Sequence, residues 1–432
     1  MIGPGDAERL GRIISVRDPQ ARTSSGRRYL HWEQLIRHPA PDSLTHEEWW
    51  AGLKLARTVG RREVPLRDKE GRPFFFSMPD IVLQRLHEID RDASGRLASS
   101  DQITNPQTRD RYVQSSLIEE AITSSQLEGA ATTREAAKQL LRSGRSPSNQ
   151  SERMIVNNFR AIQMIREVKD QPLTPESVVH LHAIITRTTL DSDSGPFRAS
   201  GDGIGVYDAQ TNTLLHDPPD AAEIDQRLMA MCAFANDGES EPFLHPVIRA
   251  ILLHFWLAYD HPFVDGNGRT ARAIFYWSML RSEFWLFEFV SISRILRKAP
   301  AKYARSFLYT ETDENDLTYF LIYQLEVIRR AIDDLQAFLK TKLDQVRKAE
   351  DLIRSSELLN HRQLALMSHA VRHPGMRYTI NSHRVSHGVT HQTARTDLLK
   401  LVDLGLLDQS TVGRKFVFKA PPDASERLKA LE

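Results

Sequence analysis

From His245 to Asp260 the chain is apolar nearly all the way round a helical wheel: Ile248, Ile251, Leu252, Phe255, Trp256 and Leu257 leave no broad polar stripe to face water. A helix of that kind is stable only with other elements packed on every side, so the segment predicts a central buried helix inside a helical body. It runs directly into His261-Pro262-Phe263-Val264-Asp265-Gly266-Asn267-Gly268-Arg269-Thr270-Ala271-Arg272. Pro262 and Asp265-Gly266 oppose helix, whereas Thr270 onward allows it, so this stretch reads as a loop entering a helix start.

Several kinds of chemistry meet in those twelve residues. Unpaired amides around Gly266, Asn267 and Gly268 form an anion site, because glycine lets a ligand approach the backbone and the helix dipole favours negative charge. Arg269 and Arg272, three apart, share one helix face and suit phosphate oxygens. Asp265 offers a hard oxygen to magnesium, and His261 is a proton acceptor at neutral pH. Together they point to phosphoryl or nucleotidyl transfer. The plainer reading of the same residues is a helix cap with surface ion pairs and a structural histidine.

The string HPFVDGNGRTAR decides between the two, because it resembles the signature of Fic-domain proteins, His-x-Phe-x-(Asp/Glu)-Gly-Asn-Gly-Arg-x-x-Arg, at every specified position. The resemblance implies a protein adenylyltransferase that moves AMP from ATP, with Mg2+, to a Ser, Thr or Tyr hydroxyl of a target protein. In that mechanism His261 deprotonates the hydroxyl and Asp265 holds magnesium. Asn267 and the amides of Gly266 and Gly268 stabilise charge at the α-phosphate, Arg269 and Arg272 bind the outer phosphates, and Phe263 anchors the loop. The turn Gly195-Pro196-Phe197-Arg198 and the region to Pro218-Pro219 resemble the family's flap, with Ile204, Gly205, Val206 and Tyr207 pairing with an extended target segment. Tyr303 and Thr312 to Asp316 resemble the segment that lines the adenine pocket.

Upstream, Ser124-Ser125-Gln126-Leu127-Glu128-Gly129 reads from its residues as a helix end, with Gly129 able to stop the helix. Beside the signature, Ser124-x-x-x-Glu128-Gly129 resembles the family's inhibitory helix motif, (Ser/Thr)-x-x-x-Glu-(Gly/Asn). That implies autoinhibition, with the Glu128 carboxylate brought to Arg272 so that the γ-phosphate is excluded. In some relatives the same glutamate positions water for removal of AMP, so de-AMPylation at the same site is the alternative direction.

The expected fold is mainly α: a Fic-type helical core with a small β-hairpin flap, plus a C-terminal winged helix-turn-helix. At 432 residues the chain is long for one core, and it reads as three regions. Residues 1–107 form an accessory region of helices and a hairpin around Lys69-Glu70-Gly71-Arg72, with residues 1–30 poorly ordered. Thr45 and Glu48 have capping-box spacing, and Trp49 and Trp50 read as local core. Residues 108–345 form the core and include a helix capped by Thr174 with Pro175 at its first turn. Residues 346–432 form the third region, with helices over 358–371, 379–387 and 390–404 and strands at Gly405-Leu406-Leu407 and Gly413 to Phe418.

Charge and composition narrow the partners. The formal net charge of +1 argues against whole-molecule attraction to nucleic acid or membrane and says nothing about local patches. The single Cys232 excludes an intrachain disulfide or a cysteine-rich metal site. Charges interrupt the N-terminal residues before any apolar run, and the longest apolar run is too short to span a bilayer. Neither a signal peptide nor a membrane association is therefore expected, and the chain reads as cytoplasmic. Residues 351–432 hold about 12 basic and about 8 acidic side chains. DNA binding through Arg395, Lys400, Arg414 and Lys415 therefore stands beside docking of a protein, and a DNA-binding regulator with a nucleotide-sensing core is the rival function. Self-modification and a homodimer are the other partner expectations; the target protein is not legible.

Overall fold

The computed structural model describes residues 4–24, 26–41, 44–94, 106–190, 197–207, 211–237, 242–373, 375–412 and 415–431. The chain is mainly helical, and among the described residues the strands form four antiparallel two-stranded hairpins. No described helix is long and apolar enough to cross a membrane. By its contacts the chain divides into two compact units, one joining 1–96 to 113–332, the other joining 97–112 to 333–432. The first therefore includes most of the accessory region together with the core.

Within the first unit the central helix, Pro246–Asp260, is buried along almost its whole length, as its composition requires. It packs most extensively against the motif helix Asn267–Arg281. Helices Gln150–Val168 and Pro175–Ile185 pack on the motif helix, and Ile224–Asn236 packs on the central helix. Thr174 caps its helix with Pro175 at the first turn, and Thr45 and Glu48 form the reciprocal capping box.

Residues 1–30 differ from expectation. Pro4–Ser15 is a helix, and Ala21–Thr23 pairs with Gly26–Arg28. The helix is ordered by partners far along the chain. Arg12 reaches Glu48 at 2.9 Å, and Gly52 leaves a hollow for Val16, where an added Cβ would lie 2.6 Å from the Val16 Cβ. Neither contact shows in the local sequence.

The accessory region is pinned to the core by Arg57, 1% exposed. Its guanidinium donates to Tyr319 Oη (2.7 Å), Leu30 O (2.9 Å) and Pro19 O (3.1 Å), and it lies 3.8 Å from the Tyr29 ring centroid. Tyr319 donates to Asp313 (2.7 Å), Tyr29 donates to Asp316 (2.6 Å), and Lys54 pairs with Asp313 (2.7 Å). Asn315 donates to Asp68 at 2.7 Å. Asp313, Asn315 and Asp316 are buried in these contacts. The polar groups of the bend expected to line the adenine pocket, 312–316, thus hold the N-terminal region.

In the second unit, helices His361–Arg372, Ile380–His387 and His391–Asp403 precede the hairpin Asp408–Val412 with Lys415–Lys419 and a closing helix, Ala424–Leu431. Leu366, Met367, Leu398, Leu401, Leu406, Phe418 and Leu428 make its core. The first strand lies later than expected. Leu406 and Leu407 are fully buried plugs whose N–H groups return to Leu401 O, so the exposed residues from Asp408 do the pairing instead. Buried Asp397 accepts bonds from Arg362 (2.6 Å) and Asn360 (2.8 Å) and lies 3.3 Å from His383 Nε2. Burial opposes its charge, but these donors outweigh it and hold the carboxyl at about 2. Gly413 and Arg414 of the expected wing lie outside the described residues.

Candidate active site

His261 ends the central helix in the left-handed region (φ 45°, ψ 54°), with its N–H on Leu257 O. That conformation is unfavourable for a residue with a Cβ, so the surroundings must hold it. Arg198 does much of this. Its side chain donates to His261 O (2.8 Å), Asp260 O (3.3 Å) and Pro219 O, and its own N–H donates to Pro262 O (3.0 Å). Phe263 is fully buried beneath the loop, stacked on His182 with ring centroids 3.7 Å apart. His182 donates from Nε2 to Asp265 O at 2.8 Å. Gly266 has φ 85°, and an added Cβ would lie 2.9 Å from Thr186 Cγ2, so the turn needs glycine twice over.

Asn267 faces inward. Its Oδ1 accepts from Phe263 N–H (3.0 Å) and its Nδ2 donates to Phe263 O (2.7 Å). Both polar side-chain atoms brace the loop, where the sequence reading gave them to a phosphate. No side chain caps the motif helix, so its first amides, at Asn267, Gly268 and Arg269, have no intrahelical partner.

Both motif arginines are buried. Arg269 donates to Asp265 Oδ2 (2.9 Å) and Ile185 O (3.3 Å), while its Nε has no partner. Arg272 donates from Nε to Ser124 Oγ (2.9 Å) and from Nη2 to Ser124 O (3.0 Å) and Glu128 Oε1 (2.9 Å), while Nη1 has no partner. The Glu128 carboxylate lies directly over Gly268, whose added Cβ would be 3.0 Å from Glu128 Cδ. It follows the upstream helix Pro106–Leu127, and Gly129 turns the chain away at φ 90°. Glu128 and Arg272 thus meet across 144 positions of the chain.

Tyr303 donates to or accepts from His254 Nε2 at 2.7 Å and lies near enough to Arg272 and Glu128 to feel both charges. Burial lowers His254 to about 3, with Arg272 adding to the effect. Burial likewise lowers His261 to about 4, so its imidazole is neutral at physiological pH. Ala258 O lies 3.3 Å from its Nδ1, which assigns the proton there and leaves the lone pair on Nε2.

The segment expected to be the flap forms the hairpin Val206–Tyr207 with Leu214–His216, in which Val206 pairs with His216 and Tyr207 with Leu214. Ile204 and Gly205 lead into it. Gly205 packs so closely that an added Cβ would lie 2.9 Å from His216 O. Val206, Tyr207 and Leu214 are exposed. Gly195 and Pro196 lie outside the described residues, whereas Arg198 is the loop clamp just described.

Sequence reasoning missed three supporting groups: His182, His216 and Glu120. Glu120 is a buried carboxylate that accepts from Tyr276 Oη (2.9 Å), Ser291 Oγ (2.8 Å), Ser293 N–H (3.1 Å) and Ser293 Oγ, fixing the upstream helix against the core. In the adjacent pair Glu119-Glu120 inside a helical pattern, neither glutamate carries a signal of such a role.

Comparison with known proteins agrees with this geometry. The Fic/DOC family profile matches residues 172–279. A protein adenylyltransferase Fic of Nematostella vectensis is 28% identical over 116 residues, 27% of this chain and 25% of the relative. That of Drosophila melanogaster is 29% identical over 112 residues, 26% of this chain and 21% of the relative. The match spans about a quarter of these relatives' length. Among solved structures, a Fic family protein from Desulfovibrio desulfuricans G20 superposes with a TM-score of 0.52 at 16% identity, covering 80% of this chain and 97% of the other. The chain therefore has the mainly helical fold of that Fic family structure, and it carries a Fic domain at residues 172–279, which take in the central helix and most of the motif helix.

Proposed function

We propose that this site transfers AMP from ATP to a hydroxyl of a protein and that Glu128 holds it in a resting state. The observation that carries the reading is convergence. A neutral imidazole with its lone pair on Nε2, an uncapped helix start and an Arg272 Nη1 with no partner belong to one short loop and helix.

The mechanism follows from the donors. The phosphates sit at the motif helix start, where the amides of Gly268 and its neighbours and the Arg269 and Arg272 guanidinium groups meet negative charge. The target hydroxyl oxygen bonds to the α-phosphorus, its proton passes to His261 Nε2, and the bond to the departing pyrophosphate breaks. Arg198 and Asn267 keep His261 and Phe263 in place throughout. Tyr303 packs at the Arg272 end of the site.

Asp265 fits a magnesium ion. Its side chain is 46% exposed, and each oxygen has one protein partner, Gly266 N–H or Arg269, so each keeps acceptor capacity. Among the described residues no group of three or more His, Cys, Asp and Glu side chains is placed to hold a metal ion, and Asp265 would hold magnesium together with phosphate oxygens. When bound, magnesium supplies charge neutralisation between phosphate oxygens.

Glu128 supports the resting state because it already occupies the place of an anion: it neutralises Arg272 and covers Gly268. The test is labelling of the full chain and of a lysate with ATP carrying an α-phosphate label. Wild type should label weakly, Glu128→Gly strongly, and His261→Ala in the Glu128→Gly background not at all. Retained transfer without His261 would overturn the mechanism. Release of AMP from labelled protein by wild type, lost in Glu128→Gly, would reverse the assigned direction.

A second reading is favoured by the helix His391–Asp403. Its Ala394, Leu398 and Leu401 are buried while His391, Gln392, Arg395 and Thr396 are exposed. Read as the recognition helix of a winged helix-turn-helix, this face suits the major groove of duplex DNA. Salt-dependent binding of duplex DNA, weakened by Arg395→Ala, is the expected result; no binding at low salt would sink it.

A further inference from the structure

His216 sits on the second flap strand and is buried. Its Nε2 lies 2.7 Å from Tyr259 O, and its Nδ1 lies 2.7 Å from Glu311 Oε2. A backbone carbonyl only accepts, and so does an ionised carboxylate. A neutral imidazole has one N–H and cannot satisfy both, so this geometry selects the imidazolium, with a proton on each nitrogen.

Its location gives that cation a task. Tyr259 O belongs to the last turn of the central helix, where carbonyls lack helical partners and the dipole is negative. The next two carbonyls, Asp260 O and His261 O, are taken by Arg198. Three successive carbonyls leading to the left-handed His261 are therefore each held by a cation. His216 reaches its carbonyl from the flap, opposite Val206, while Glu311 comes from the helix Pro300–Thr312.

We propose that His216 is a positioning residue for the adenylyl transfer: as an imidazolium it fastens the flap hairpin, through its second strand, to the carbonyl end of the central helix, fixing flap and His261 together. The proposal rests on the transfer reading above. The charges around it are consistent. Burial opposes the proton, but Glu311, Tyr259 O and Asp217 outweigh it and raise His216 above its ordinary 6.5. Asp217 is itself paired with Lys69 at 3.0 Å. Asp260 is paired with Arg227 at 3.1 Å, and the His216 charge favours its ionised form. The same charge, with that of Arg198, disfavours protonation of His261. Because the folded-state value is raised, the fastening is complete below the ordinary value and is lost as pH rises through the raised one.

The experiment uses the full chain with Glu128→Gly, labelled with 15N-histidine, comparing it with the added changes His216→Gln and Glu311→Gln. In the NMR titration the His216 resonance should have both nitrogens protonated at pH 6.5 and should titrate above 6.5; Glu311→Gln should move that titration down. In α-labelled ATP assays of self-modification, His216→Gln should slow transfer roughly tenfold, about what one charge-assisted hydrogen bond contributes, with KM for ATP unchanged. Glu311→Gln should bring the alkaline decline of transfer to lower pH. A His216 that titrates at or below its ordinary value overturns the proposal, as does full-rate transfer by His216→Gln. A rise in KM for ATP equal to the loss in rate would assign His216 a merely structural role. If Glu128→Gly transfers nothing, the functional reading fails by itself, and the NMR result still decides the imidazolium.

Discussion

Replacing Glu128 by glycine is the perturbation that most directly examines the site. Glu128 Oε1 lies 2.9 Å from Arg272 Nη2, and the two side chains are 27% and 1% exposed. A hydrogen bond to a charged group in such surroundings contributes about 1.5–3 kcal/mol. That is the amount by which arriving phosphate must outcompete the carboxylate, and each 1.4 kcal/mol is about tenfold in population. Removing the carboxylate should therefore raise the initial labelling rate on the order of ten- to a hundredfold at subsaturating ATP. Glu128→Gln separates charge from shape: the amide keeps the volume above Gly268 but brings no negative charge to Arg272. The expected order of rates is glycine, then glutamine, then wild type. A second readout is stability. Without Glu128 the buried Arg272 loses its counter-charge, so the ligand-free variant should melt at lower temperature, and ATP should raise its Tm more than that of wild type. Equal labelling by wild type and Glu128→Gly, with ATP binding intact, would refute the resting-state argument. Glutamine matching wild type while glycine is fast would refute its electrostatic half.

Other consequences can be checked singly. Asn267→Ala strands the N–H and O of buried Phe263, which should cost about 2–4 kcal/mol by chemical denaturation. In the Glu128→Gly background it should also slow labelling with little change in KM for ATP. Arg57→Ala removes the cation that joins Tyr319, Leu30 and Pro19, and a loss of about 3 kcal/mol or more should appear as a lower Tm. His254 and His261 are held near 3 and 4 from an ordinary 6.5, so the unfolded chain binds protons that the folded chain does not. Stability should then rise with pH between about 4 and 6.5, and His261→Ala should flatten part of that slope.

What could be read from the sequence was local. The Thr45 and Glu48 box and the Thr174-Pro175 helix start each depend on neighbours within four residues, and each forms. The apolar central helix was legible because its burial is written into every turn. The helix Pro4–Ser15 was not, because its order comes from Glu48 and Gly52. Leu406 and Leu407 looked like a strand because a short apolar run does not distinguish strand pairing from a plug. At the site, the motif fixed which residues assemble but not their directions. A signature that includes Asn267 cannot tell a side chain turned toward a ligand from one turned toward Phe263. Nor could spacing find Arg198, His182 or His216, whose contacts with the loop and the helix end before it span 43 to 83 positions along the chain.

These directions bear on where regulation can act. His261 is strained, yet its carbonyl and the two before it are held by Arg198 and His216, its helix-terminal N–H is bonded, and the loop beyond it is braced by Asn267 and His182. A loop restrained on so many sides costs several broken hydrogen bonds to move, so switching by rearranging His261 would be expensive. Glu128 is different. Its carboxylate is partly exposed, and it follows the last residue of its helix, next to a glycine in the left-handed region. Withdrawing it breaks one ion pair, while Glu120 keeps the preceding turns of the helix attached to Tyr276, Ser291 and Ser293. The inexpensive motion is therefore at the end of the upstream helix, not in the motif loop. Phosphate affinity should respond to changes at Ser124, Glu128 and Gly129 while the proton affinity of His261 changes much less.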